Sequence, residues 1–281
     1  MADPFEFDKP EQYAVMGNPV AHSKSPRIHT LFAQQFGHRI SYTAIQVDLG
    51  GFPQAVEQFR GNGGKGLNIT VPFKQDAFRL VDHMSERARL AGAVNTIKFE
   101  ADGKMFGDNT DGAGLIHDII HNLDINLRGK DVLVLGAGGA VRGVLGPLLK
   151  HHPARLVVAN RTVSKARDLA EAFTTAGKIE TCGFDALRGR HFHLVINGTA
   201  ASLKGAALPL PDNLFANHAL AYDMMYGDRA TPFVDWAMRH GAERAVDGLG
   251  MLVEQAAESY LLWKAVRPQT RPVIEALRKG A

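Results

Sequence analysis

The stretch that decides the fold is VLVLGAGGAVRG, residues 132–143, in which four apolar residues run directly into a cluster of glycines. Gly136, Gly138 and Gly139 after such a run are typical of a buried strand, a tight turn and the start of a helix. The backbone N–H groups at that helix start favour an anion such as a pyrophosphate. The pattern predicts a dinucleotide-binding unit, although Val141 stands where G-x-G-x-x-G has its third glycine. On this stretch alone, a turn packed for its own sake is the alternative.

The next predicted strand, residues 156–160, ends about where a dinucleotide fold places its ribose-binding group. An NAD-binding fold has Asp or Glu there, whereas this chain has Asn160 followed by Arg161. A carboxylate would repel a 2′-phosphate, but a guanidinium binds one through charge-assisted hydrogen bonds. Thr162 and Lys165 could add a hydroxyl and a second cation, unless Thr162 is only the N-cap of the following helix. The sequence therefore favours NADP over NAD.

Length, charge and cysteine content exclude several classes of protein. The chain has 281 residues, a net charge of +3 and a single cysteine, Cys182. The length predicts two domains, the mild and dispersed charge argues against nucleic-acid binding, and one cysteine excludes an intramolecular disulfide. No apolar run approaches the roughly 20 residues that cross a bilayer, so no membrane association is expected. The acidic first eleven residues are unlike a secretory or mitochondrial leader, so we expect a cytoplasmic protein.

The first hundred residues alternate β-prone runs with helical patterns, which predicts an α/β domain with mostly parallel pairing. Its predicted strands are residues 13–18, 42–48, 66–71 and 93–99. Asp102 and Gly103 lie between two β-prone runs, which indicates a hairpin at the sheet edge. A second, doubly wound unit has predicted strands at residues 132–135, 156–160, 192–197 and 219–224, and one long helix follows Gly248.

The stretch NITVPFK, residues 68–74, places a cation at the start of a predicted helix. Strand alternation puts Asn68 and Thr70 on one face, at the carboxyl end of a strand where open α/β sheets bind ligands. Pro72 suits the first helical position, and Lys74 follows where the helix dipole disfavours a positive charge by roughly 0.3–1 kcal/mol. A side chain extended into solvent is an equally good interpretation of Lys74 by itself.

Other polar residues stand at predicted helix starts. Ser23 and Ser25 precede Pro26, and two hydroxyls beside a helix N-terminus suit a carboxylate, although Ser25 could be only an N-cap. Asp111 in GDNTDGAG has the same alternative, and Gln255 could be a solvated position on the last helix.

Seven short motifs are informative about the family when they are considered as a set. They are NPVAHSKSP, NITVPFK, GAVNT, GDNTDG, GAGGA, NRT and GMLVEQA. In their order and in their separations, these motifs resemble those of the shikimate dehydrogenase family, and the resemblance covers residues 13–262. The resemblance implies reversible, NADPH-dependent reduction of 3-dehydroshikimate to shikimate, a step towards chorismate and the aromatic amino acids. It implies NADP as cofactor and leaves monomer and homodimer open.

The resemblance also implies domains and roles. The expected domains are a substrate-binding catalytic domain (1–111), a linking helix (112–125), a Rossmann-like parallel-sheet NADP-binding domain (126–248) and C-terminal helices that pack back on the first (249–281). Lys74 and Asp111 would be the catalytic pair, and both would also contact substrate. The other substrate-binding candidates are Ser23, Ser25, Asn68, Thr70, Asn95, Tyr226 and Gln255. The cofactor-binding candidates are Gly136, Ala137, Gly138, Gly139, Ala140, Asn160, Arg161, Thr162, Lys165, Met224 and Gly248.

Some positions depart from the family pattern, and other functions compete with it. Ala200, Ser202 and Asp228 replace residues usual in the loops near Met224 and Tyr226. A relative that also oxidises quinate, or a non-catalytic NADP-sensing module, is the alternative function. A metalloenzyme would use His117 and His121, but without an H-E-x-x-H motif or an apparent third ligand a solvated helix face is favoured, and no metal is expected.

Overall fold

The computed structural model describes residues 9–199 and 208–280, so the departures at Ala200 and Ser202 lie outside the described residues. The chain divides into two compact units. One unit is Met1–Thr110 with Val253–Ala281, and the other is Asp111–Leu252. Each has a sheet with helices, which confirms the α/β class.

The sheet of the first unit mixes parallel and antiparallel strands. Its strands are β1 (Glu11–Gly17), β2 (Ile40–Gln46), β3 (Gly64–Ile69), β4 (His83–Met84), β5 (Thr96–Phe99) and β6 (Met105–Asp108), in the spatial order β2-β1-β3-β5-β6-β4. Strand β1 is parallel to β2 and β3, whereas β5 is antiparallel to β3 and β6. The predicted hairpin is therefore present as β5–β6. It is not at the sheet edge, because the two-residue β4 pairs with β6.

The sheet of the second unit is parallel throughout its described strands. They are β7 (Asp131–Leu135), β8 (Arg155–Ala159), β9 (Glu180–Cys182), β10 (Phe192–Asn197), β11 (Phe215–Asp223) and β12 (Arg244–Val246). The spatial order β12-β11-β10-β7-β8-β9 is that of a doubly wound dinucleotide fold. The direction of strand succession reverses between β7 and β10, and such a fold binds ligands at the carboxyl ends of those two strands. The sequence patterns missed the short edge strands β9 and β12.

Helices cover both sheets. They are α1 (Ser25–Phe36), α2 (Phe52–Gly61), α3 (Lys74–Leu80), α4 (Glu86–Ala91), α5 (Asp111–His117), α6 (Gly139–Lys150), α7 (Val163–Glu171), α8 (Pro232–Arg239), α9 (Leu249–Lys264) and α10 (Arg271–Arg278). Helix α5 continues into a π-helical turn, Asp118–Asn122. The long helix expected after Gly248 is α9. No helix in the described chain is both long and apolar enough to span a membrane.

Helix α3 begins two residues later than the proline pattern indicates. Pro72 follows a cis peptide bond and lies in a turn in which the Phe73 N–H donates to the Thr70 carbonyl at 3.1 Å. This turn takes up Pro72, so the prediction that Pro72 opens the helix is wrong. Lys74 is itself the first residue of α3.

Candidate functional site

In the first unit, a buried polar network joins β3, β5, the end of β6 and α9. Asn68, Asn95 and Thr110 are each at most 5% exposed. The Asn95 amide donates to the Thr110 hydroxyl at 2.9 Å, and the Thr110 N–H donates to the Asn95 side-chain oxygen at 2.8 Å. The side-chain oxygen of Gln255 accepts from Asn95 at 3.4 Å and from Thr110 at 3.3 Å. Three of the predicted substrate-binding residues, Asn68, Asn95 and Gln255, therefore belong to one cluster.

The amide of Asn68 is held on both sides. Its oxygen accepts from the Tyr42 hydroxyl at 2.7 Å, and its nitrogen donates to the Ser259 hydroxyl at 2.9 Å. Longer contacts join the same nitrogen to the Thr96 hydroxyl at 3.2 Å and the Asn95 carbonyl at 3.3 Å. Three acceptors around the nitrogen and one donor at the oxygen thus set the orientation of the amide together.

The polar residues that complete this network were missed from the sequence. They are Tyr42, Thr96, Thr110 and Ser259. Thr96 ends the motif GAVNT, Thr110 lies within the motif GDNTDG, and Ser259 lies one helical turn after Gln255. That spacing was the available signal. Nothing in the sequence around Tyr42 indicates that its hydroxyl reaches Asn68, because β1 separates their strands.

Lys74 lies at the end of the turn that follows β3. It is partly buried, and its carbonyl accepts a hydrogen bond from the Val94 N–H at 2.9 Å. The Ile69 N–H donates to the Asn95 carbonyl at 2.7 Å. These two bonds fix the start of α3 beside the segment that carries Asn95.

Thr70 packs against the end of β1. Its N–H donates to the Met16 carbonyl at 2.9 Å, and a Cβ atom placed on Gly17 would stand only 2.3 Å from the Thr70 methyl carbon. Only a glycine at position 17 allows this approach. The side chain of Thr70 is partly buried, at the carboxyl end of β3.

Ser25 is the first residue of α1, and Lys24 occupies the N-cap position. Ser25 is 6% exposed, and its N–H donates to the Ser23 hydroxyl at 3.3 Å. The alternative in which Ser25 serves only as an N-cap does not fit this arrangement.

In the second unit, the glycine-rich turn connects β7 to α6. Gly136 has a φ of +108°, which favours glycine, and a Cβ atom there would approach Gly198 and Thr199 at the end of β10 to 3.1–3.3 Å. Ala137 is partly buried, whereas Gly138, Gly139 and Ala140 are exposed. Among the described residues, no side chain caps the start of α6. The turn lies at the strand reversal and presents helix N–H groups, so it fits a pyrophosphate.

The loop after β8 carries the residues predicted to select the cofactor. The Asn160 N–H donates to the Cys182 carbonyl at 3.1 Å, and the Asn160 amide donates to the Thr162 carbonyl at 2.8 Å. Thr162 occupies the N-cap position of α7, but its hydroxyl caps no backbone N–H there. Arg161 and Lys165 are exposed and pair with no carboxylate in the described chain. Two cations and a hydroxyl are thus available to a phosphate.

A second buried cluster lies at the carboxyl ends of β10 and β11, and the sequence patterns did not reveal it. The Asp223 carboxylate accepts from the Asn197 amide at 3.0 Å, from the Thr231 hydroxyl at 2.6 Å and from the Met225 N–H at 3.1 Å. The Asn197 side-chain oxygen accepts from the N–H and hydroxyl of Thr199. One buried acid therefore organises the loops on either side of Met224.

The remaining nicotinamide-side candidates surround this cluster. Met224 is 7% exposed, and a Cβ atom on Gly248 would approach its carbonyl oxygen to 2.4 Å. Tyr226 is partly buried, and burial raises the pKa of its hydroxyl. Asp228 is exposed in the same loop.

Asp111 and the two histidines lie on one helical segment of the second unit. Asp111 is the first residue of α5 and is partly buried. The rings of His117 and His121 are 4.2 Å apart between centroids. The described residues contain no group of three or more His, Cys, Asp or Glu side chains placed to hold a metal ion.

Comparisons with known proteins place the chain among dehydrogenases. Residues 15–97 match the family model described as shikimate dehydrogenase substrate binding domain, and residues 118–204 match the model described as shikimate / quinate 5-dehydrogenase. The chain is 56% identical over 267 residues to shikimate dehydrogenase (NADP(+)) of Cellvibrio japonicus, covering 95% of this chain and 96% of that protein.

Solved structures give the same result. The crystal structure of an Ael1 enzyme from Pseudomonas putida has a TM-score of 0.89 and 48% identity, covering 95% of this chain and 98% of that one. Shikimate 5-dehydrogenase from Thermus thermophilus, solved in complex with NADP(H) and shikimate, has a TM-score of 0.85 and 33% identity, covering 96% and 100%. Both likenesses extend over nearly the whole of each chain.

Proposed function

Because this chain belongs to the shikimate dehydrogenase family, we propose that it catalyses the reversible, NADPH-dependent reduction of 3-dehydroshikimate to shikimate. The observation that carries the proposal is similarity over both units at once. A non-catalytic NADP-sensing module that kept the fold and lost the chemistry would have no need of both Lys74 and Asp111, and this chain has both.

NADP is the cofactor, and the second unit has groups that suit it. The turn Gly136–Ala140, exposed from Gly138 onwards, and the N-terminus of α6 would hold the pyrophosphate. Arg161, with Thr162 and Lys165, would hold the 2′-phosphate, which distinguishes NADP from NAD. Met224 and Gly248 would lie beside the nicotinamide. When bound, NADPH supplies the hydride that reduces the substrate carbonyl.

Lys74 and Asp111 would supply the proton chemistry. Negative charge grows on the substrate carbonyl oxygen during reduction, and a cationic donor lowers the energy of that state. The ammonium group of Lys74 would stabilise this oxygen and give it a proton, with the reverse transfer during shikimate oxidation. Asp111 would orient Lys74 and accept a hydrogen bond from a substrate hydroxyl. Lys74 is the first residue of α3, and its carbonyl accepts a hydrogen bond from the Val94 N–H. This bond gives the backbone of Lys74 a defined position.

The polar network of the first unit would bind the rest of the substrate. Ser23 and Ser25 would hold the carboxylate at the start of α1. The ring hydroxyls would be held by Asn68, Thr70, Asn95 and Gln255, with Tyr226 on the substrate side of the second unit. The mutual hydrogen bonds of Asn68, Asn95 and Gln255 support this assignment, since a preorganised site loses little entropy on binding.

The test is a direct assay of the purified chain. Shikimate with NADP should produce the absorbance of reduced nicotinamide, and 3-dehydroshikimate should consume it. NAD, quinate and a chelator are added in separate arms. Absence of turnover with shikimate and NADP would refute the proposal, while equal turnover of quinate would favour the broader shikimate/quinate activity. A chelator is expected to change nothing.

A cytoplasmic enzyme acting as a monomer or homodimer is part of the same proposal. Its single cysteine, Cys182, fits a reducing compartment. Size-exclusion chromatography with light scattering distinguishes the two assemblies.

A further inference from the structure

His29 is a polar residue in an apolar place. Its side chain is fully buried in α1, and neither ring nitrogen has a hydrogen-bond partner among the described residues. The ring is stacked on that of Tyr42, with centroids 4.3 Å apart and planes 6° from parallel. Phe32, Tyr260 and Trp263 surround it as well. His29 therefore acts here through the flat surface of its ring rather than through its nitrogens.

The ring that His29 supports carries a hydroxyl with a buried polar partner. The Tyr42 hydroxyl donates to the Asn68 side-chain oxygen at 2.7 Å. Asn68 lies two strands away from Tyr42, beyond β1. One hydroxyl on β2 thus reaches the carboxyl end of β3.

We propose that Tyr42, held flat by His29, is a positioning residue for substrate binding, because its hydroxyl bonds the oxygen of the Asn68 amide and so sets the direction of that amide. The proposal rests on the proposed function, in which Asn68 binds a ring hydroxyl of the substrate. Tyr42 itself is 8% exposed and acts only through Asn68.

Removing the Tyr42 hydroxyl takes from the Asn68 oxygen its donor. The amide is then held from its nitrogen side alone and can turn away from the substrate. The hydrogen bond serves the ground state and the transition state alike, so substrate binding weakens while turnover stays. For Tyr42→Phe we expect the KM for shikimate to rise about tenfold, as the removal of one hydrogen bond to a buried acceptor implies, with kcat and the KM for NADP within about twofold.

The same aromatic cluster contains a matched control. The Tyr260 hydroxyl is bonded to His38 Nδ1 at 2.6 Å and is not among the hydrogen-bond partners of the Asn68 side chain in the described part of the chain. Tyr260→Phe thus removes a bonded hydroxyl beside the same His29 ring, and it should leave the KM for shikimate unchanged. If both variants raise this KM equally, or if Tyr42→Phe keeps the value of the original chain, the positioning role is overturned.

Two variants of His29 test the stacking. His29→Phe keeps a flat ring and should retain the KM for shikimate, whereas His29→Ala should raise it towards the value of Tyr42→Phe. In the double variant of His29→Ala and Tyr42→Phe, the second change should add little. A full rise in His29→Phe would contradict the stacking. Thermal melts show which variants fold, and should His29→Ala not fold, Tyr42→Phe and Tyr260→Phe still decide.

The assay of the unaltered chain separates this inference from the proposed function. No turnover of shikimate with NADP would refute the proposed function. Normal turnover, together with an unchanged KM in Tyr42→Phe, would refute the positioning role of Tyr42 alone.

Discussion

The backbone N–H of Val94 donates to the carbonyl of Lys74 at 2.9 Å, so the first residue of α3 is tied to the chain one residue before Asn95. A residue at the first turn of a helix is otherwise subject to fraying. The bond holds the backbone of Lys74 relative to the polar network, which suits the proposed role of Lys74 as a proton donor.

Replacing Lys74 should therefore affect chemistry more than binding. Lys74→Ala is expected to lower kcat by about 10²–10⁴, the usual contribution of a general acid, with a modest change in the KM for shikimate. Steady-state kinetics in both directions measure this. Lys65→Ala removes an exposed lysine of β3 as a control and should keep normal turnover. Near-normal turnover in Lys74→Ala would exclude Lys74 from the mechanism.

Arg161 should determine the choice of cofactor. Arg161→Asp replaces a phosphate-binding cation with a repelling anion, so the KM for NADPH should rise about 10- to 100-fold, while that for NADH changes little. Arg167→Asp makes the same charge change at an exposed position further along α7 and should affect both cofactors weakly. Equal losses for NADPH and NADH in Arg161→Asp would contradict the role.

Asp223 should matter for stability and for cofactor binding together. Asp223→Ala leaves the Asn197 amide and the Thr231 hydroxyl without their buried acceptor, at a cost of about 2–4 kcal/mol in the free energy of unfolding. The loops beside Met224 should loosen, which raises the KM for NADP. Urea unfolding and kinetics measure the two effects, and Asp235→Ala, an exposed acid on α8, is the control. A stable variant with a normal KM would refute this role.

His29 should make stability depend on pH. Burial lowers the pKa of His29 to about 3, whereas the unfolded chain has the ordinary value near 6.5. Between these values the unfolded state binds more protons, so the free energy of unfolding is highest above pH 6.5 and falls as the pH drops, by up to about 1.4 kcal/mol per pH unit. The titratable neighbours Tyr42 and Tyr260 stay neutral there, because burial raises the pKa of both hydroxyls.

Urea unfolding at several pH values measures this effect. In His29→Phe, the free energy of unfolding should fall less steeply as the pH drops below 6. The change corresponds to nearly one proton fewer taken up on unfolding. An unchanged slope would show that His29 is not the group responsible.

The sequence patterns predict the main architecture because their signals are local. The glycine turn after residues 132–135 marks a strand, a turn and a helix within one short window, and Asn160–Arg161 marks the cofactor loop. The edge strands β4, β9 and β12 have two or three residues each, too few to show an alternation of apolar and polar residues. Pro72 was wrongly predicted to open α3 because a turn and a first helical position both accept proline.

The candidate residues of the first unit were predictable from motifs, but the hydrogen bonds that join them to one another and to their neighbours were not. Tyr42 and Asn68 are 26 residues apart in the chain, and Asn68 and Ser259 are 191 apart. Hydrogen bonds over such separations depend on how strands and helices pack, which no local pattern encodes. His29 shows the same limit, because nothing in the sequence around it indicates the ring on which it stacks.

The crowded nitrogen of Asn68 decides what kind of group this residue can recognise. Both amide hydrogens are already engaged by protein acceptors, so only the remaining lone pair of the oxygen is open to a ligand. A partner at this point must bring its own hydrogen. Replacing the substrate alcohol that Asn68 is proposed to bind with a fluorine or a methoxy substituent would set two electron-rich atoms against each other, so such analogues should bind more weakly even where they fit by size.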